Sequence, residues 1–112
     1  MDTRIWITTQ FEGIHAWPDA PEEVSFLSCP HRHMFHVKVE VSVTHDDREI
    51  EFILFKRWLD GVLSERYDEM AKSCEMMAKE IIELVREEWG DRSIVVEVSE
   101  DGENGARVED LK

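Results

Sequence analysis

The segment from residue 33 to residue 44 constrains the fold of this chain more than any other. Its even positions are mostly polar, whereas its odd positions carry large apolar side chains, namely Phe35, Val37, Val39, Val41 and Val43. Alternation with a period of two is typical of a strand that has one face on the core and the other in solvent. The segment therefore predicts an antiparallel sheet that other elements cover on one side.

Histidines extend the apolar parity of this strand toward its N-terminus. Residues two apart in a strand share a face, so His31 and His33 are predicted on the same side as the valines. A run rich in isoleucine, threonine and aromatics, Thr3 to Phe11, predicts a second strand, whose inward parity reaches His15 if no bulge intervenes. Three nitrogen ligands with one open position are typical of catalytic zinc. His15, His31 and His33 are therefore candidate zinc ligands.

Two helices are predicted after these strands. Apolar residues at intervals of three and four predict a first helix from near Glu51, and a second helix that starts after the N-cap Ser73 and ends at Gly90. The apolar face of the first comprises Leu54, Phe55, Trp58, Leu59, Val62 and Leu63, and that of the second Cys74, Met77, Ala78, Ile81, Val85 and Trp89.

The C-terminal part returns to strand patterns. Ser93 to Glu100 predicts a strand, and a turn at residues 101–105 leads to a short final strand, Ala106 to Glu109. The order β-β-α-α-β-β predicts an α+β fold, in which a four-stranded antiparallel sheet carries two helices on one face.

Size and charge narrow the classes of function. A chain of 112 residues is predicted to form a single domain, residues 1–112, and is short for a deep cleft of its own, so a pocket between subunits is plausible. The net charge of -13 argues against nucleic acid as a partner, because a polyanion would be repelled. No apolar run is long enough to span a bilayer and no signal-peptide pattern is present. We expect a soluble cytoplasmic protein without a membrane partner.

The motifs and their order resemble the 6-pyruvoyl- and 6-carboxy-tetrahydropterin synthase family, which has the tunnelling fold. The resemblance covers nearly the whole chain. The similar segments are Phe11-Glu12-Gly13-Ile14-His15 (F-x-A-A-H in the family), Pro30-His31-Arg32-His33 (H-G-H), Ile50-Glu51-Phe52 with Phe55-Lys56 (V-x-D-F and L-K), Ser73-Cys74-Glu75 (T-x-E) and Val96-Glu97-Val98-Ser99-Glu100 (V-x-V-x-E).

This resemblance implies a zinc-dependent lyase that acts on a 6-substituted reduced pterin. It implies that His15, His31 and His33 hold Zn²⁺ and that Glu100 anchors the pterin. A carboxylate suits that role, because its two oxygens can accept hydrogen bonds from two adjacent donors on a planar ring. The resemblance also implies a homo-oligomer, usually a hexamer, with its sites at subunit interfaces.

The chain departs from the family at the residues that transfer protons. The family's catalytic cysteine lies four residues before the first histidine of H-x-H, whereas Cys29 lies two before His31. The family's L-D-H motif has no counterpart, because that stretch reads Leu63-Ser64-Glu65-Arg66-Tyr67-Asp68. Cys29 is the candidate catalytic nucleophile or proton donor, with Glu65, Asp68 or His36 as candidate replacements for the missing base.

Several chemistry-bearing side chains also have simpler interpretations. His36 is predicted on the surface and His45 in a turn, Cys74 in the core, and Glu75 as a helix-start charge. For Glu100 the simpler alternative to a ligand carboxylate is a solvated strand end in an acidic tail. Three hypotheses follow: the pterin lyase, a catalytically altered or inactive metal-bearing homologue that binds a pterin or purine-like ring, and a lyase with another substrate, for instance in a deazapurine or modified-nucleoside pathway.

Overall fold

The computed structural model describes residues 1–67 and 69–112, with residues 69 and 70 described by their backbone alone. The helices and strands are β1 (Thr3–His15), β2 (His31–Val43), α1 (Phe52–Arg66), β3 (Glu69–Met70), α2 (Cys74–Trp89), β4 (Ile94–Glu100) and β5 (Asn104–Asp110). A short 3₁₀ segment, Glu22–Ser28, lies between β1 and β2. The α+β architecture is confirmed, with four long antiparallel strands and two helices packed on them.

The sheet has the order β3-β1-β2-β4-β5. Its four long strands pair antiparallel, whereas β3 pairs parallel with the last two residues of β1. The sequence did not predict β3, because a strand of two residues is too short for any periodicity to identify it. This strand lies beside the end of β1, where His15 is located.

One hydrophobic core lies between the sheet and the helices. The predicted inward parity of β2 is confirmed, because the side chains at positions 35, 37, 39 and 41 are buried. From the helices, Phe55 and Leu59 of α1 and Met77 and Ile81 of α2 reach the same core with no exposed surface. The prediction for Leu54 was wrong: this side chain lies in the first turn of α1 and is 58% exposed.

The predicted ends of the elements differ from the structure by a few residues. The helix α1 continues to Arg66, and β5 starts at Asn104 rather than Ala106. The turn between β4 and β5 is therefore tight, and Asp101 and Gly102 both adopt positive φ values, 57° and 72°. Aspartate and glycine tolerate this left-handed conformation better than most residues. In the described ranges, no helix is long and apolar enough to cross a membrane.

The register between β1 and β2 is continuous and has no bulge. It runs from Thr3 opposite Val43 to His15 opposite His31, with Gly13 opposite His33. A Cβ atom on Gly13 would lie 2.9 Å from the ring of Phe35, so glycine permits that ring to approach β1 closely. The unbroken register brings the end of β1 against the start of β2.

A half-buried ion pair between Glu49 and Arg92 links the opposite end of β2 to the start of β4. The backbone N–H of Thr44 donates to one carboxylate oxygen of Glu49 at 2.8 Å, and the guanidinium of Arg92 donates to the other at 2.6 Å. Arg92 also donates to the carbonyl oxygen of Ser42 at 2.8 Å. The hydrogen bonds from Thr44, followed by that from Arg92, lower the pKa of Glu49 to about 2.

We expect Glu49→Gln to lower the free energy of unfolding at neutral pH. A carboxyl group with a depressed folded-state pKa stabilises the fold above its unfolded-state pKa of about 4.5, and this contribution disappears as the pH falls toward 2. Urea denaturation of the wild type and the variant at pH 7 and pH 3 measures the effect. The difference in unfolding free energy between the two proteins should be clear at pH 7 and shrink at pH 3. An equal difference at both pH values would contradict the role of the charged form.

Candidate metal centre

Three histidine side chains meet at the end of the sheet where β1 stops and β2 begins. One nitrogen from each of His15, His31 and His33 lies within 4.8 Å of the other two. The ring centroids are 4.5 Å apart for His15 and His31, 5.2 Å for His15 and His33, and 5.0 Å for His31 and His33. The side chain of His15 is buried and the other two are half-buried. The β1–β2 register produces this cluster, because His15 is paired with His31 and His33 lies two residues farther along β2.

Each imidazole is held by a hydrogen bond at Nδ1. His15 Nδ1 lies 3.2 Å from the carbonyl oxygen of Lys72, and His31 Nδ1 lies 2.8 Å from that of Cys29. His33 Nδ1 lies 2.7 Å from a carboxylate oxygen of Asp101. A carbonyl oxygen and an ionised carboxylate only accept hydrogen bonds, so Nδ1 is the protonated nitrogen in each neutral ring. The lone pair of each ring is therefore on Nε2.

The three Nε2 atoms are buried, and none has a hydrogen-bond partner among the described residues. Buried polar atoms without partners are rare in folded proteins. Three imidazole nitrogens within 4.8 Å of one another are, however, a donor set that Zn²⁺ takes from histidine, and ligating histidines usually donate their other ring N–H to a carboxylate or carbonyl oxygen. The donor set and its supporting hydrogen bonds thus fit a bound Zn²⁺ ion.

Glu100, at the C-terminal end of β4, reaches into the same cluster. Its Oε1 lies 3.4 Å from Nε2 of His15, and its Oε2 lies 3.2 Å from Nε2 of His33. Neither contact is aligned as an N–H···O hydrogen bond, since both Nε2 atoms lack a hydrogen-bond partner. Glu100 is therefore part of the cluster, and its role as an anchor for a pterin ring stays a prediction.

Asp101 is a site residue that the sequence analysis missed. One of its carboxylate oxygens accepts from His33 Nδ1, and the other accepts from the backbone N–H of Met34 at 3.0 Å. The hydrogen bond from His33, followed by that from Met34, lowers the pKa of Asp101. The available signal was the pair Asp101-Gly102 directly after a predicted strand, which is typical of a tight turn but does not indicate what the carboxylate contacts.

A cavity of about 540 Å³ opens beside the histidines. Its lining includes His15, His31, Glu100, Trp17, Cys74 and Glu75. A larger concavity, about 890 Å³, lies elsewhere on the sheet and includes none of the three histidines, so volume alone does not identify the site.

The two cysteines differ in their position relative to the cavity. Cys29 is exposed and is not among the residues that line the cavity, although its carbonyl oxygen holds His31. Cys74 lines the cavity but is buried and belongs to the core. Burial, followed by the charges of Glu100 and Glu75, raises the pKa of the Cys74 thiol to about 11, so it stays protonated at neutral pH.

Two of the candidate replacements for the missing base, Glu65 and His36, do not line the cavity. Both side chains are exposed, and His45 lies in an exposed bend, as predicted. Asp68 lies outside the described residues. Glu65 and His36 are therefore not placed to exchange a proton with a ligand in the cavity of their own chain.

Arginine at the central position of His31-Arg32-His33 is compatible with the histidine cluster. Successive side chains of a strand leave on opposite faces. Arg32 accordingly pairs with Glu12 across the strands, with Nε and Nη2 at 2.7 Å and 3.2 Å from the two carboxylate oxygens. Arg32 therefore lies on the face of β2 opposite to His31 and His33.

Neither a scan against models of known protein families nor a search of curated proteins found a match to this chain.

We expect zinc to stabilise the wild-type protein and to stabilise His15→Ala and His33→Ala much less, because each substitution removes one ligand. A ligand present at about 100 times its dissociation constant adds about 2.7 kcal/mol to the free energy of unfolding. Thermal unfolding with and without zinc measures this gain. His36→Ala is the matched control on the same strand, since its side chain is exposed, and it should keep the full gain. An undiminished gain in His33→Ala would show that zinc binds elsewhere.

We expect Asp101→Asn to weaken zinc binding by about 10–100-fold, the usual effect of losing a supporting hydrogen bond to a metal-binding histidine. The amide has only one oxygen to share between His33 and the N–H of Met34, and its NH₂ group cannot accept. Competition with a chromophoric chelator measures the affinity. Glu103→Gln, in the same turn, serves as the control and should bind zinc like the wild type. Equal affinities for the two variants would exclude a supporting role for Asp101.

Proposed function

We propose that this chain binds Zn²⁺ through His15, His31 and His33 and acts as a lyase on a 6-substituted reduced pterin. The observation that carries the metal assignment is the set of three buried Nε2 atoms whose rings are fixed at Nδ1. The pterin assignment rests on the resemblance of the sequence motifs to the tetrahydropterin synthase family. Cytoplasmic location stays a prediction.

The cavity beside the histidines supports a small planar ligand. Its volume, about 540 Å³, lies within the usual range for small-molecule sites. The carboxylates of Glu75 and Glu100 line it and supply acceptors for ring N–H groups, while Trp17 and Leu27 supply apolar contacts. A bound Zn²⁺ ion would polarise hydroxyl or carbonyl oxygens on the side chain of such a ligand and acidify the adjacent C–H bond.

The surroundings of the cavity support a homo-oligomer. Trp17 and Met76 both line the cavity and are 50% and 56% exposed. Large apolar side chains exposed at the opening of a site favour contact with another protein surface. We therefore propose that a second copy of the chain covers this opening and that the site lies at the subunit interface. The hexamer is the assembly that the family resemblance implies.

A second candidate function is binding of a pterin or purine-like ring without turnover. Two observations favour it. Cys29 does not line the cavity of its own chain, and the stretch after Leu63 lacks the family's Asp-His pair. Metal and ring binding need neither of these groups, whereas the family's lyase chemistry needs a proton donor and a base.

Incubation of the zinc-loaded protein with dihydroneopterin triphosphate tests the two candidates. For the lyase we expect conversion of the substrate, detected by chromatography, and loss of most activity in Cys29→Ala, with ligand affinity by calorimetry unchanged. Cys74→Ala is a control for the loss of a thiol outside the reaction, provided that it folds. Binding without conversion would favour the second candidate. If the protein neither binds nor converts this compound, the pterin assignment is excluded.

A further inference from the structure

We propose that Glu100 is the fourth metal ligand in the ligand-free protein, so that the coordination sphere is closed until a ligand displaces this carboxylate. The inference rests on the metal site proposed above and adds to it the state of its fourth position. In this proposal Glu100 binds the metal before a ligand arrives, and it is free to anchor a ring only after the ligand has displaced it.

The carboxylate of Glu100 lies close enough to two of the histidines to share a metal ion with them. Zinc bonds to nitrogen and oxygen are about 2.0–2.2 Å long, so two ligands at corners of a tetrahedron are about 3.4 Å apart. The carboxylate oxygens of Glu100 lie 3.4 Å from Nε2 of His15 and 3.2 Å from Nε2 of His33. Oε1 thus lies from His15 Nε2, and Oε2 from His33 Nε2, at about the separation of two neighbouring zinc ligands, so either oxygen of Glu100 is near enough to share an ion with a histidine.

The contacts between Glu100 and the two Nε2 atoms are unfavourable unless a cation lies between them. The Nδ1 hydrogen bonds place a lone pair on each Nε2 atom, so the carboxylate faces two lone pairs. Like partial charges at this distance repel each other in a partly buried site. A hydrogen bond from a protonated Nε2 would relieve the repulsion, but neither contact has the alignment of one. A cation shared by the Glu100 carboxylate and both Nε2 atoms relieves this repulsion and gives these atoms a partner.

Backbone pairing on both sides fixes the strand end that carries Glu100. Glu100 is paired with Phe35 of β2 on one side and with Asn104 of β5 on the other. The next residue, Asp101, donates its backbone N–H to the carbonyl oxygen of Met34 at 2.7 Å and binds His33 through its side chain. The supporting carboxylate of Asp101 and the proposed ligand Glu100 thus come from adjacent residues of one paired segment, and a fixed backbone at this point lowers the entropic cost of ligation.

Glu75 provides an internal comparison. Its carboxylate lines the same cavity and contributes to the same negative field at Cys74, but it is not within ion-pair distance of a histidine nitrogen among the described contacts. A purely electrostatic effect of cavity carboxylates on the metal would be shared by both residues, whereas ligation belongs to Glu100 alone.

The test uses Co²⁺ as a spectroscopic substitute for zinc, with azide as a small exogenous ligand. For the wild type we expect one equivalent of Co²⁺ to bind with a visible spectrum that azide does not change, because Glu100 occupies the fourth position and azide offers no N–H donor to compensate a displaced carboxylate. For Glu100→Gln we expect binding weakened at least about tenfold, an altered spectrum, and a further change on addition of azide. Glu75→Gln should behave as the wild type in all three respects. Circular dichroism establishes that each variant is folded.

The outcomes separate this inference from the metal site itself. If the wild type binds no Co²⁺ and no Zn²⁺, the metal site and the inference both fail. If the wild type binds Co²⁺ and azide readily changes its spectrum, the fourth position is open and Glu100 is not the ligand, whatever the folding of the variants. If Glu100→Gln keeps the wild-type affinity and spectrum, the inference also fails while the three-histidine site stands.

Discussion

The convergence of three imidazole lone pairs is the constraint on which the site depends. Nitrogens of His15, His31 and His33 lie within 4.8 Å of one another, and each ring is held in this orientation by an acceptor at Nδ1. Without a cation, such an arrangement leaves three buried acceptors unsatisfied, and each carries a cost of about 1–3 kcal/mol. The structure therefore keeps the rings in an orientation that is unfavourable for the empty site and favourable for a metal ion.

The three acceptors come from three separate connections of the chain. Cys29 lies in the segment before β2, Lys72 lies in the segment before α2, and Asp101 lies in the β4–β5 turn. The connection before α2 is itself fixed, because Lys72 Nζ contacts both carboxylate oxygens of Glu80 at 2.6 and 2.9 Å. Tyr67 donates to the same carboxylate at 2.9 Å. A metal at the histidines would thus join two strands and three connections, so metal binding and the stability of this end of the sheet are coupled.

Strand periodicity accounts for the part of the site that the sequence predicted. The parity of β1 and β2 indicates that His15, His31 and His33 share a face, and the parity of β4 puts Glu100 on it, since the register has no bulge. The oxygens that accept hydrogen bonds from the three Nδ1 atoms follow no periodicity in the sequence. Lys72 and Cys29 contribute only backbone carbonyl oxygens, which any residue could supply, and Asp101 contributes a side chain whose direction depends on a left-handed turn. Such contacts arise from tertiary structure, and a single sequence does not encode them locally.

The position of Glu100 bears on which ligands the site can accept. If Glu100 is the fourth metal ligand, as proposed, a ligand that takes this position must compensate the carboxylate for the lost metal contact, because an unpaired charge in a partly buried site is costly. A ring with two adjacent N–H donors does so, since both oxygens of the displaced carboxylate can accept from it. A ligand that offers an oxygen to the metal but no donors to Glu100 would leave the charge without a partner. The choice among ligands would then depend as much on this carboxylate as on the metal. The metal-binding and ligand-binding roles of Glu100 would be two successive states of one side chain.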